Sequence, residues 1–339
     1  DNTYLSYNMV VGNAMDSTLG VAFDVLDYAL LSAPGAPLKQ ALLDAGIGKD
    51  IYGDYSDGVL QPYFSVIAKG ARTARKEEFV SIIRNCLQDI VKNGIDKKAV
   101  LSGINYMEFR YREADFGQFP KGLMYGLDIM GSWLYDDENA FSQVKLPEIY
   151  DQLKIAVNEG YFENLIQKWL LDNTHGAILT LVPKRGLAAQ REKELADRLE
   201  AYRSSLSDEQ LEEMVRKTKA LEAYQESEER PEDLECIPML KRSDIRKEVN
   251  GFSNEELQVE DSLFLYQDVC TNGIGYVNIM FEIKDMAVEK VHYLGLLKSV
   301  LGYVDTKNYT YGQLFNETNA RTGGIQCGVD VYDKANDPE

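Results

Sequence analysis

Histidine is nearly absent from this chain, with His175 and His292 the only two among 339 residues. Metal hydrolases and most acid–base enzymes depend on imidazole, so this scarcity narrows the chemistry at once. Neither His lies in HExxH or in the inverse HxxEH. In Glu289-Lys290-Val291-His292-Tyr293 no second His stands four residues away, so two imidazoles cannot converge on one metal from that helix. A surface position or a contact between domains is the expectation for His292. His175 follows Asn173-Thr174 ahead of a strand-like run, where turn-lining hydrogen bonds are its ordinary role.

Cysteine is sparse as well. Cys86, Cys236, Cys270 and Cys327 are scattered with no CxxC pair, which excludes a zinc ribbon and a disulfide scaffold. Reduced core thiols and a cytoplasmic setting are expected. Cations are outnumbered, 36 Lys and Arg against 55 Asp and Glu, for a net charge of −19. A protein that grips phosphate backbones needs clustered Lys and Arg, so nucleic acid is not an expected partner. No run of about 18 apolar residues appears. The opening Asp1-Asn2-Thr3-Tyr4-Leu5 has no basic stretch followed by an apolar one. No membrane partner is expected.

Other site motifs are also missing. A GxSxG nucleophile elbow is absent. Gly46-Ile47-Gly48-Lys49-Asp50 has a faint phosphate-loop appearance, but Leu43 stands where the first glycine is required and Asp50 replaces the Ser or Thr. Asp54, Asp57 and Gly58 are too irregularly spaced for a calcium loop, and Asp136-Asp137-Glu138 reads as a solvated loop. The expected site inventory is therefore none for catalytic, cofactor-binding and metal-binding residues.

What is present is ample apolar material, 45% of the chain with 21 Tyr and 12 Phe, in a length that calls for two or more domains. Tyr4–Val11 reads as a strand. Asp16-Ser17-Thr18 offers N-caps to a helix with the apolar stripe Leu19, Ala22, Phe23, Leu26 and Leu30. A second helix starts near Pro37 and stops at Ala45-Gly46-Ile47-Gly48. Ile51–Tyr55 and Tyr63–Ala68 form a hairpin around Asp57-Gly58. Helices follow over Arg75–Val91, after Asp96, over Gly122–Leu134, Leu146–Asn158 and Tyr161–Leu171. Gly176–Val182 closes this part as a buried strand.

From Leu187 to Glu229 charge dominates and Gly and Pro nearly vanish. Leu206-Ser207-Asp208 divides the stretch into two helices, and Ser207 with Gln210 matches a capping box. This is a helical hairpin with a thin apolar seam. Beyond Pro231, strands are predicted at Ile245–Val249, Ser262–Tyr266 and Gly275–Glu282, helices at Met286–Leu301 and Tyr311–Ala320, and a last strand at Gly328–Tyr332. The predicted fold class is α+β, antiparallel sheets with helices packed on them joined by a long helical hairpin. The strand-like ends give the expectation of an internal fragment.

Several ordered segments resemble one family. Leu38-Lys39-Gln40-Ala41-Leu42 with Ala45-Gly46-Ile47-Gly48 is similar to its "PLxxALxxxGLG" segment. Tyr106-Met107-Glu108-Phe109-Arg110-Tyr111-Arg112-Glu113 resembles its "xxxEFxxRE" helix, Pro120-Lys121-Gly122-Leu123 the "PxGL" that follows, and Trp133-Leu134-Tyr135 its "WLY". Tyr161-Phe162-Glu163-Asn164-Leu165-Ile166 and Leu170 to His175 extend the match to Val182-Pro183. The chain is thereby identified with the pitrilysin/insulinase-type zinc metallopeptidases, in the presequence protease and falcilysin branch.

The resemblance implies pitrilysin-like domains: 1–185 as a non-catalytic second α/β domain, 186–231 as the helical linker and 232–339 as the truncated start of a third. It implies Zn2+ held elsewhere in a parent chain, by an HxxEH that this chain lacks, so the chain alone should be inactive. The implied role is chamber wall and hinge of a zinc-dependent endopeptidase that degrades unfolded peptides. The implied partners are the remaining domains of that parent and its peptide substrates. The alternative is a non-catalytic pitrilysin-like scaffold or peptide-binding subunit whose parent also lacks the zinc motif.

Overall fold

Alternating apolar residues in Thr3–Val10 make β1, whose Leu5 and Met9 are buried. A computed structural model describes residues 2–245, 247–248, 251, 254–283 and 286–332. These residues form two compact units, one running to Pro183 and resuming at Cys270, the other Lys184–Val269.

In the first unit, α1 (Ser17–Asp27) opens where Asp16 Oδ1 accepts from the Leu19 N–H at 2.9 Å. Its predicted stripe of Leu19, Ala22, Phe23, Leu26 and Leu30 is buried, and the helix continues as a π-helical turn over Tyr28–Ser32. Helix α2 (Pro37–Asp44) carries Pro37 in its first turn, where the missing N–H costs nothing. The stretch Ser17–Asp44 is apolar and long enough, by length and composition alone, to cross a membrane, although no unbroken apolar run spans it. Two thirds of its apolar window is buried within the fold, which makes it core.

Strands β2 (Asp50–Ser56) and β3 (Tyr63–Ala71) form the expected hairpin. Then come α3 (Lys76–Asn93), which buries Phe79, Ile83 and Leu87, and α4 (Lys97–Glu113), capped by Asp96 through the Lys98 and Ala99 N–H groups. Helices α5 (Lys121–Trp133), α6 (Pro147–Ala156) and α7 (Tyr161–Leu165) follow, the last extended by a π-helical turn over Ile166–Leu171. Strand β4 (Gly176–Leu181) closes an antiparallel sheet of order β2-β3-β1-β4.

Burying a side chain such as Phe23 or Phe162 in this core contributes about 1.5–3 kcal/mol. One expectation fails at the sheet edge. Strand β4 is not buried: Leu179 is 52% and Leu181 63% exposed. An unbroken apolar run marks burial only where helices cover both faces, and β4 lies at an edge with a single neighbour, β1.

The second unit carries α8 (Leu187–Ser204) and α9 (Asp208–Gln225), separated by Ser205-Leu206-Ser207. The predicted capping box is present: the Gln210 N–H donates to Ser207 Oγ and the Ser207 N–H donates to Gln210 Oε1. Neither helix buries a residue. A short α10 (Pro231–Leu234) follows, and β5 (Glu255–Val259) pairs with β6 (Ser262–Tyr266) as an antiparallel hairpin. The strand at β6 is as predicted, while β5 escapes sequence reading because Glu255-Glu256 masks its alternation. The strand expected at Ile245–Val249 lies partly outside the described residues, and Ile245 itself sits in a bend.

Back in the first unit, α11 (Val288–Val300) and α12 (Tyr311–Arg321) match the two predicted helices. Residues 275–282 do not form the predicted strand, and Met280 and Phe281 are 78% and 81% exposed. Residues 328–332 likewise carry no ladder. Alternation makes a strand only where a neighbouring strand takes up its backbone hydrogen bonds, and among the described residues neither segment is part of a ladder. The thiols also differ from expectation: Cys86 packs half-buried against the core, but Cys236, Cys270 and Cys327 are exposed. Their apolar neighbours, Ile237 and Val269 among them, are exposed too, so sequence context misled.

Candidate functional site

His175 and His292 are both exposed. The His175 N–H is held by Asn173 Oδ1 at 2.8 Å and its carbonyl accepts from the Val10 N–H at 3.0 Å, a turn-lining role. The His292 ring lies against Tyr293, with centroids 4.0 Å apart. Among the described residues no group of three or more His, Cys, Asp or Glu is placed to hold a metal ion. The zinc that the resemblance implies, held elsewhere in a parent chain, finds no fitting ligand set among the described residues. Burial and the nearby Asp89 push the Cys86 thiol above its usual range, away from the reactive thiolate.

What the fold assembles is a helix that binds other parts of its own chain. Asp96 starts α4, and its buried stripe of Val100, Ser102, Gly103 and Ile104 sets the rotation about its axis. The Tyr106 to Glu113 segment then turns several polar groups to use. Tyr106 stacks on Tyr28, ring centroids 5.3 Å apart. Glu108 takes Arg112 at 2.8 Å on one oxygen and Lys154 of α6 on the other. Burial alone would raise the Glu108 carboxyl, but the hydrogen bonds from Lys154 and Arg112 outweigh it and hold the group below its usual range. Tyr111 Oη donates to the Val144 carbonyl at 2.8 Å.

The outer side of α4 receives the chain beyond Val269. Asn272 Nδ2 donates to the Arg112 carbonyl at 2.9 Å, and Tyr276 Oη donates to Glu113 Oε1 at 3.2 Å. Farther along, α12 lies on α4. Asn105 Nδ2 donates to the Ala320 carbonyl at 2.7 Å, and Asn319, 6% exposed, donates to Tyr28 Oη at 2.7 Å. Tyr28 Oη in turn lies 3.3 Å from Ser102 Oγ, buried beneath it. Phe315 packs against Tyr28, Ala33 and Ala36 with Tyr106 and Met107. Lys98 Nζ meets Glu317 at 2.9 Å, which holds the Glu317 carboxyl below its usual range with help from Arg321. Gly323 passes so close to Phe109 that a Cβ there would lie 2.0 Å from the ring.

A second polar group sits where α1 faces β2. Asp24 and Asp27 occupy neighbouring positions on α1. Burial first, then Asp57 and Asp27, pushes the Asp24 carboxyl up to about 7. Asp27 is raised by burial and by Asp54, against a lowering hydrogen bond from Ser32 Oγ at 2.7 Å. Its Oδ1 is buried without a partner above Gly53, where a Cβ would lie 1.8 Å from that oxygen. Tyr55 is driven upward by burial and by Asp24, Asp57 and Asp16.

Sequence reasoning named the α4 segment as a resemblance but assigned its residues no role, because their partners lie as far away as Gly323, 214 positions beyond Phe109. It passed over Asp24, whose one available signal was two acids spaced i,i+3 beside an apolar helix stripe.

Residues 181–339 match the family model for the region associated with peptidase family M16, subfamily C. The chain is 39% identical over 97% of its length to Protein HypA of Clostridium perfringens, covering 34% of that protein. It is 31% identical over 92% of its length to Presequence protease 1, chloroplastic/mitochondrial, of Arabidopsis thaliana, covering 29% of it. The fold overlaps the inactive peptidase domain of an assigned zinc protease from Bordetella parapertussis with a TM-score of 0.44 at 11% identity, over 54% of this chain and 94% of that one. That overlap is too weak to add to the assignment. The class is a mixed α/β peptidase-family protein with antiparallel sheets. The chain belongs to the pitrilysin-type peptidase family, in the subfamily that includes the presequence proteases. It spans about a third of the length of the curated relatives it matches.

Proposed function

We propose that this chain is a non-catalytic segment, chamber wall and hinge, of a zinc-dependent metalloendopeptidase acting on unfolded peptides. The observation that carries the reading is similarity along almost the whole chain to a presequence protease of which it covers 29%. In this reading residues 1–185 are a second, non-catalytic domain, 186–231 the linker and 232–339 the opening of a third. Zn2+, the hydrolytic residues and most of the peptide contacts belong to the remaining domains of the parent. A cytoplasmic location is part of the same proposal.

The hinge assignment rests on composition and burial. Helices α8 and α9 bury no residue, and their surfaces carry i,i+3 and i,i+4 ion pairs such as Arg216 and Lys217 with Glu213. Helices of this kind hold their own length without fixing what they connect to.

A replacement experiment tests the wall assignment. Exchanging the matched segment of the Arabidopsis presequence protease for this chain should leave a folded, zinc-dependent peptidase, while this chain alone with zinc should cleave no peptide. Zinc-dependent cleavage by the isolated chain would overturn the reading. For the hinge, distance distributions between spin labels on β3 and on α9 should be broad, and one narrow distance would count against it.

A further inference from the structure

We propose that α12 is a releasable clasp, an intramolecular ligand whose receptor is the outer side of α4 with the Tyr28 turn, joining the chain beyond Val269 to those helices independently of residues 184–269. The inference concerns these contacts alone and does not depend on the peptidase reading.

The ligand side is a self-contained helix. Thr310 Oγ1 accepts from the Gln313 N–H while Gln313 Oε1 accepts from the Thr310 N–H, so α12 starts on its own capping box. Its last turn is completed by the receptor, where Asn105 donates to the Ala320 carbonyl. The receptor is preformed by other packing: Val100 and Ile104 anchor α4 in the core, and Tyr28 is fixed by its stack on Tyr106. The contact is specific because its buried part is polar. Asn319, Tyr28 and Ser102 form one chain of hydrogen bonds, and a register slip would take Asn319 from its buried acceptor and leave Tyr28 Oη with Ser102 alone.

The same contacts make the clasp weak enough to open. Each hydrogen bond contributes only about 0.5–1.5 kcal/mol net. The apolar part is small, Phe315 in one cluster with Tyr28, Ala33, Ala36, Tyr106 and Met107, and most of α12 stays half-exposed. Asn316 Oδ1 is buried without a partner, a desolvation cost that opposes docking. Two further links, Asn272 to Arg112 and Tyr276 to Glu113, are exposed single hydrogen bonds at the other end of α4. A helix held by a few specific polar contacts and one aromatic anchor is a local opening unit.

The test uses the full chain with a specific protease site placed in the exposed stretch Ser227–Arg230. After cleavage the two pieces should co-elute in size-exclusion chromatography, and Asn319→Ala should weaken their association at least tenfold. Separation of the nicked wild-type pieces at micromolar concentration, or an unchanged affinity in Asn319→Ala, would overturn the proposal. Hydrogen exchange on the uncut chain covers the case in which a variant misfolds. In Tyr28→Phe, which keeps the ring and removes the acceptor, amides of α12 should exchange at least fivefold faster while those of β1 and β3 are unchanged. Equal acceleration of sheet and α12, or no protection of α12 in the wild type, shows that α12 is not a separable clasp.

Discussion

At Asp24 the cost of burying a carboxylate sets a pH dependence. Its folded pKa of about 7 lies above the ordinary 3.8, so between those values the folded state binds more protons than the unfolded one. Stability is full below pH 4 as far as this group is concerned and is lost as pH rises through 7. The total is at most about 4 kcal/mol. Asp57, Asp27, Tyr55 and Tyr150 all face it, and none supplies a positive charge. Asp24→Asn should therefore raise the urea midpoint at pH 8 and flatten its slope between pH 4 and 7. A steeper slope in the variant would refute the assignment. At Gly53, substitution by Ala should destabilise the unit by about 1–3 kcal/mol in chemical denaturation, because the added carbon meets the Asp27 carboxylate and Leu31. Local sequence signals the Asp24 effect only through its i,i+3 spacing from Asp27 and the Gly53 effect not at all, since both come from the approach of α1 to β2.

Helices behave according to how much of each is anchored. Ser207→Ala removes one half of the capping box on α9 and should cost about 1 kcal/mol of helix stability. Because α9 buries nothing, the loss should appear as fraying of residues 208–212 in amide exchange, with the thermal midpoint of the sheet unit unchanged. In α4 the opposite holds. Glu108→Gln leaves Lys154 and Arg112 without their shared anion and should destabilise the sheet unit by about 1–2 kcal/mol, measured by urea titration at pH 7. Most helices were legible from periodicity and caps, Asp16, Asp96 and Ser207 each doing what its position predicts. Strand identity was less so: β4 proved an exposed edge, β5 was hidden by its charges, and 275–282 formed no ladder.

For the whole molecule, the charge of −19 draws divalent cations to the surface without fixing them, since among the described residues no group is placed to hold one. Titration with Zn2+ should show no stoichiometric, chelator-sensitive stabilisation of the fold; a rise of several degrees in the thermal midpoint would mean a ligand set outside the described residues.

The sequence by itself determined the element types over most of the first 183 residues, the charged helical pair and the family, because caps, periodicity and segment order are local or additive along the chain. Only the tertiary structure decided which of those elements are edges, which acids lose their water, and that the helix after Thr310 lies on α4. Those outcomes depend on groups brought together across up to 291 positions, as Asn319 and Tyr28 are, and no local pattern encodes such a meeting.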